Sequence, residues 1–149
     1  MNPEPVIEHP ADADALGLWF ADVERHQFEL NRDAARRAGA LAEAIGFARQ
    51  HPDIYALPGD SDAVTTAERC AVAEAGLRLQ LSENTIRNLA HTADAARDRL
   101  PALWQAACDG FATLAQIETA VALLARFDTL PAAACMWKRM RRGWRGCIC

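Results

Sequence analysis

The residue types suited to recognition chemistry gather in residues 76–91, which read GLRLQLSENTIRNLAH. Ser82, Asn84, Thr85, Arg87, Asn88 and His91 are short polar or basic groups that can hydrogen-bond base edges or neutralise phosphates. Leu79, Leu81, Ile86 and Leu89 are spaced between them around a break at Leu81-Ser82. A helix-turn-helix requires this pattern: a small residue in the first helix, apolar contacts on both sides of a tight turn, and an exposed polar face on the second helix. Gly76 supplies the small position. Gln80 departs from the motif, because it stands where glycine usually relaxes the turn. The competing reading is two core helices that meet at an angle without touching DNA.

Other reactive residue types form no constellation. His9, His26, His51 and His91 include no pair spaced four apart around an acid, as a helical zinc site would require. Cys70 and Cys108 lie in apolar helical contexts and are expected to be buried, inert thiols. The Cys-Ile-Cys end, Cys147 and Cys149, has a one-residue gap, outside the usual zinc spacing. Glu68, Glu74, Glu83, Asp94, Asp98 and Glu118 are spread along helical stretches and suggest a solvated face rather than an acid–base pair. Glycine-rich phosphate loops and Gly-x-Ser-x-Gly are absent from the sequence. The expectation is therefore no catalytic residue, no metal ligand, no cofactor and no small-molecule substrate.

Charge divides the chain. The net charge is −4, from 16 basic and 20 acidic residues. Residues 135–149 hold Lys138, Arg139, Arg141, Arg142 and Arg145 and no acid; removing these five leaves 11 basic residues against 20 acidic, a net of −9. An acidic body repels nucleic acid, while a basic segment attracts it or an anionic membrane surface. As a helix, residues 135–149 would bring Trp137, Trp144 and Ile148 near one face, although Gly143 and Gly146 weaken such a helix. The composition shifts abruptly near Ala134, so residues 131–149 are read as a basic Trp/Arg/Cys tail of truncated or frame-shifted origin. The start of the chain lacks the basic and apolar regions of a signal peptide, and no apolar run reaches membrane-spanning length, so a cytoplasmic setting with reduced thiols is expected.

Alanine is abundant and β-branched residues are sparse, which favours helices. Residues 1–12 read as a disordered arm. Helical spacing begins at Asp12 or Asp14 with Leu16, Trp19, Phe20 and Val23, and Trp19 and Phe20 are expected to anchor the core. It resumes through Leu30, Ala34, Ala38, Leu41, Ala42, Ile45 and Ala48, as one long helix or two joined near residues 26–31. His51-Pro52 ends the segment, and a Pro/Gly/Asp-rich loop follows to Asp62. Thr65 and Glu68 suggest a capping box for a helix that places Ala71, Val72, Ala75 and Leu79 on one side. Ser82 is the expected cap of the next helix, which carries Ile86, Leu89, Ala90, Ala93, Ala96 and Leu100. Pro101 opens a short helix with Leu103, Trp104 and Ala107, and Gly110 closes it in a left-handed conformation. Thr113 and Gln116 repeat the capping box ahead of Leu114, Ile117, Val121 and Leu124; Phe127 and Leu130 close the segment and Pro131 stops it.

The stretch Ala71-Val72-Ala73-Glu74-Ala75, then Leu81-Ser82, Thr85, Ala93 to Arg97, Leu100-Pro101-Ala102-Leu103, Gly110 and Leu114-Ala115-Gln116-Ile117 resembles the 13E12-repeat family, also known as domain of unknown function 222. The resemblance covers residues 13–128 and is sharpest over residues 68–125. It implies kinship to proteins in which this helical domain precedes an HNH endonuclease domain that binds a metal and cuts DNA. No catalytic or metal residue carries over, because the HNH unit needs a closing histidine and none follows His91. The expected fold is all-α, a compact bundle of five to six helices with a helix-turn-helix-like element over residues 13–130. Three functional readings follow. The first is a non-catalytic helical module of an HNH-endonuclease-associated protein, with double-stranded DNA as partner. The second is an assembly domain that binds itself or another protein without DNA contact. The third is an inactive, truncated remnant of an HNH nuclease.

Overall fold

The computed structural model describes residues 10–128. The arm at residues 1–9 and the tail at residues 129–149, with Leu130, Pro131 and the three last cysteines, lie outside the described residues. The described chain forms helices α1 (Pro10–Gln50), α2 (Ala63–Leu79), α3 (Glu83–Arg99), α4 (Pro101–Cys108) and α5 (Leu114–Asp128), with a 3-10 turn at Pro52–Ile54 between α1 and α2. Among the described residues this is an all-α bundle, as expected.

The spine is α1, a single helix of 41 residues and so about 60 Å long. It passes through residues 26–31 without a break and begins at Pro10, earlier than the Asp12 or Asp14 start expected from capping. Proline fits the first helical turn, where its missing N–H has no partner to lose. The body forms on the C-terminal half of α1. There Ala35, Ala38, Leu41, Ala42, Ile45 and Ala48 are buried, and α2, α3 and α4 pack against them.

α3 makes the most extensive contact with α1. Its buried residues Ile86, Leu89, Ala90, Ala93 and Ala96 follow the expected stripe. The core is otherwise completed by Val72, Trp104, Ala107, Ala112, Ile117 and Val121. Alanine dominates this interior, so helix backbones approach closely and dispersion contacts run along the helices rather than through large interlocking side chains.

Several helix ends follow the sequence and two differ from it. Ser82 is extended and its Oγ accepts the Thr85 N–H at 3.1 Å, the expected cap of α3. Thr113 and Gln116 form a reciprocal capping box, with Thr113 N–H donating to Gln116 Oε1 at 2.8 Å and Gln116 N–H to Thr113 Oγ1 at 3.2 Å. The Thr65–Glu68 box is not formed. α2 starts at Ala63, so both residues lie inside the helix, and the loop is organised instead by Asp60, which accepts from Asp62 N–H and Thr66 Oγ1. Leu79, expected on the packed side, is instead exposed at 42%.

The α2–α3 turn is a Schellman-type closure: Gln80 N–H and Leu81 N–H both reach Gly76 O. Gln80 takes the left-handed conformation at φ 55°, the one non-glycine residue at positive φ among the described residues. Gly76 is needed for proximity, since a Cβ there would stand 3.0 Å from Leu81 O. Gly110 has both constraints. Its φ is +95°, and a Cβ would meet Phe28 O at 2.7 Å, where the α4–α5 turn sits against α1.

Two substitutions test these turns by thermal unfolding. Gln80→Gly relieves the left-handed strain, offset in part by chain entropy, and should stabilise the protein by about 0.5–1 kcal/mol. Gly110→Ala should destabilise it by about 2 kcal/mol or more, since both the backbone angle and the Phe28 contact oppose a side chain.

Candidate functional site

The six residues of the α3 entry divide into two groups. Ser82 and Thr85 are committed to local structure: besides the cap, their hydroxyls are 2.8 Å apart. Asn84, Arg87, Asn88 and His91 follow i, i+3, i+4, i+7 spacing, opposite the buried stripe, and all four are exposed. The fold therefore gathers four of the six on one presented face, just beyond a tight turn.

The electrostatics of that face are set by its acids. Arg87 is paired with Glu83 at 2.9 Å, one helical turn back. The face continues through the exposed Asp94 and Asp98. α3 carries Glu83, Asp94 and Asp98 against Arg87, Arg97 and Arg99, and with Arg87 held by Glu83 and Arg97 by Glu43 the helix offers no excess of positive charge to a phosphate backbone.

Beside this face α1, α2 and α3 enclose a cleft of about 270 Å³, lined by Arg49, Glu68, Arg87, His91 and Asp94 together with apolar residues of the three helices. Arg49 and Glu68 form a bidentate pair across α1 and α2, at 2.9 and 3.0 Å. The hydrogen bond from Arg49 holds the Glu68 carboxyl below the ordinary glutamate range, against a smaller upward effect of burial; the Arg49 and Arg87 charges add to the lowering. The same hydrogen bond raises Arg49. The cleft is charge-balanced by its own residues. No group of three metal-ligating side chains occurs among the described residues. Cys70 and Cys108 are half-buried rather than buried, since each sits at the margin of the core.

A second surface went unrecognised in the sequence. Residues 16–30 of α1 are all exposed, including Trp19 at 70% and Phe20 at 60%. These two were expected in the core and are instead outside it. The reason is reach: the body meets α1 no further towards its start than the α4–α5 turn. There Phe111 stacks edge-on against Phe28 at 5.3 Å, and Asn31 Nδ2 donates to Gly110 O at 2.9 Å. Beyond that anchor α1 projects as an overhang. Leu16, Trp19, Phe20, Val23 and Leu30 lie on the track that becomes the buried stripe Ala38, Leu41, Ala42, Ile45 and Ala48, so the exposed face is in phase with the core.

A clamp between α1, α3 and α4 was also missed. The Arg97 guanidinium lies 5.2 Å from the centroid of the Trp104 ring and donates to Glu43 at 2.9 Å. Gly39 makes room for it, because a Cβ there would stand 2.6 Å from the guanidinium. No sequence spacing links Glu43, Arg97 and Trp104, so only the folded chain brings them together.

The Arg49–Glu68 pair predicts a pH dependence. A depressed folded pKa contributes stability that is fully present above the unfolded value of about 4.5 and is lost as pH falls through the folded one. Glu68→Gln should therefore cost about 0.5–1 kcal/mol near neutral pH, as for a partly exposed pair. The difference from the parent should shrink below the ordinary glutamate pKa when chemical denaturation is followed across pH.

Compared with protein-family models, with curated proteins and with solved structures, the chain matches none.

Proposed function

We propose that this chain is a non-catalytic helical assembly module that docks a second polypeptide segment on the overhang of α1. One observation carries the reading: Leu16, Trp19, Phe20, Val23 and Leu30 present a single helical stripe of large apolar side chains, each at least 48% exposed. Exposed apolar side chains scattered singly are ordinary, but a contiguous stripe at helical spacing is the signature of an interaction surface. In the setting implied by the 13E12-repeat resemblance, such a module accompanies a nuclease and contributes assembly rather than chemistry.

The test is amide hydrogen exchange in the intact protein. A bare projecting helix of this length frays in water, so uncovered amides over residues 14–30 would exchange quickly. Docking predicts protection there, and Trp19→Glu should reduce it at least about tenfold while leaving the exchange of α3 unchanged. Fast exchange over residues 14–30 in the parent protein would reject the proposal.

DNA contact is the second reading. It is favoured by the capped Gly76–Ser82 turn and by the exposed face of Asn84, Arg87, Asn88 and His91. If it holds, duplex binding followed by anisotropy weakens with salt, and Arg87→Ala lowers the salt slope by about one. Binding unaffected by Arg87→Ala but lost when residues 138–145 are neutralised would assign it to the tail instead.

A further inference from the structure

The overhang selects its cover by charge as well as by shape. Residues 14–30 carry Asp14, Asp22, Glu24 and Glu29 against Arg25 alone, and Arg25 is already paired with Asp22. Two copies aligned through this surface would set acid against acid, which opposes a symmetric pairing of overhangs. A suitable occupant brings large apolar groups and positive charge together. Residues 135–149 of this chain have both: Met136, Trp137, Met140, Trp144 and Ile148, with five basic residues and no acid.

We propose that residues 135–149 fold back onto the α1 overhang of their own chain. Their tryptophans cover the Leu16–Leu30 stripe and their basic side chains face the acids beside it. This rests on the docking reading above and names its occupant and its regulation: a competing polypeptide reaches the stripe only by displacing the tail.

Reach supports the closure. α5 begins three residues after Phe111, which marks the root of the overhang against Phe28. The 15 residues of α5 carry the chain about 22 Å. Extended, residues 129–134 span up to about 20 Å, comparable to the length of α5, so residue 135 can come back to the neighbourhood of that root. Residues 135–149 match in number the stretch from Leu16 to Leu30, so the segment is long enough to run along the stripe. α3 balances Glu83, Asp94 and Asp98 with three arginines and exposes no stripe of large apolar groups, so charge and apolar cover coincide on α1.

The sequence contains a convenient probe, since Lys138 is its one lysine. Full-length protein, mixed from unlabelled and ¹⁵N-labelled chains, is treated with a carbodiimide, which joins an amine to a carboxylate without a spacer. Cross-linked peptides are then read by mass spectrometry. The expected result is Lys138 joined to Asp22, Glu24 or Glu29 within one chain. The yield should fall at least about fivefold in a full-length Trp137→Ala/Trp144→Ala variant, with a matching loss of exchange protection over residues 14–30. Among the described residues the buried core lies between Ala35 and Val121, so unchanged thermal unfolding of the body is the control for this variant. Linkage of Lys138 only to Asp94 or Asp98, linkage only between differently labelled chains, or no linkage overturns the proposal. If residues 14–30 are protected without the linkage, the docking reading stands and the tail is not its occupant. If they exchange freely in every variant, both readings fall.

Discussion

α1 and α3 make the most extensive helix contact of the described residues, and the alanine-rich buried faces of both constrain the rest of the structure. Ala35, Ala38 and Ala42 on one helix and Ala90, Ala93 and Ala96 on the other are all buried. Short side chains let the helices lie close. Close helices leave little room between them, so the largest fully buried side chains are only Ile86, Ile117 and Val72. A continuous helix also cannot reset its phase. The face of α1 that is buried at Ala38 is therefore the face presented at Trp19 and Phe20. Residue size changes along that track, from aromatic and leucine at the overhang to alanine in the body, and the change marks where neighbours begin.

This explains which parts of the fold were legible. Helical period, proline and glycine stops, the Ser82 cap and the Thr113–Gln116 box are local, and each follows from a few neighbouring residues. The buried stripe of α3 was readable in full for the same reason. Trp19 and Phe20 were readable as a stripe but not as a surface, because burial depends on how far other helices reach. That length is set by the Gly110–Asn31 and Phe28–Phe111 contacts, which join residues about eighty positions apart in sequence. The Arg49–Glu68 pair and the Arg97–Trp104 clamp were hidden for the same reason. Thr65 and Glu68 show the opposite failure: a correct local pattern was overridden when Asp60 started the helix one turn earlier.

Acids stand on both the α3 face and the overhang, but with different consequences for each. On α3 the polar residues would have to approach a phosphate backbone, and Glu83, Asp94 and Asp98 oppose that approach while Glu83 engages Arg87. On the overhang, acidity sits beside large apolar groups and narrows the choice among polypeptides without weakening apolar burial. Charge thus favours neither phosphate contact at α3 nor an acidic polypeptide on the overhang. The Arg49–Glu68 cleft takes no part in that choice, because its guanidinium and carboxylate already satisfy one another.

In the proposed docking, the overhang would couple folding to binding. Gly17 and the aromatic and β-branched residues between Leu16 and Leu30 give modest helix propensity, and the i, i+3 and i, i+4 pairs at Asp22 with Arg25 and His26 add only tenths of a kcal/mol. Helix propagates into this stretch from the body, where nucleation is already complete at the Phe28–Phe111 anchor. A segment lying on Trp19 and Phe20 would stabilise backbone that the body supports from one end only. In that reading occupancy and helicity would rise together. Weakening the anchor at Gly110 should loosen the docking stripe even though Gly110 does not belong to it.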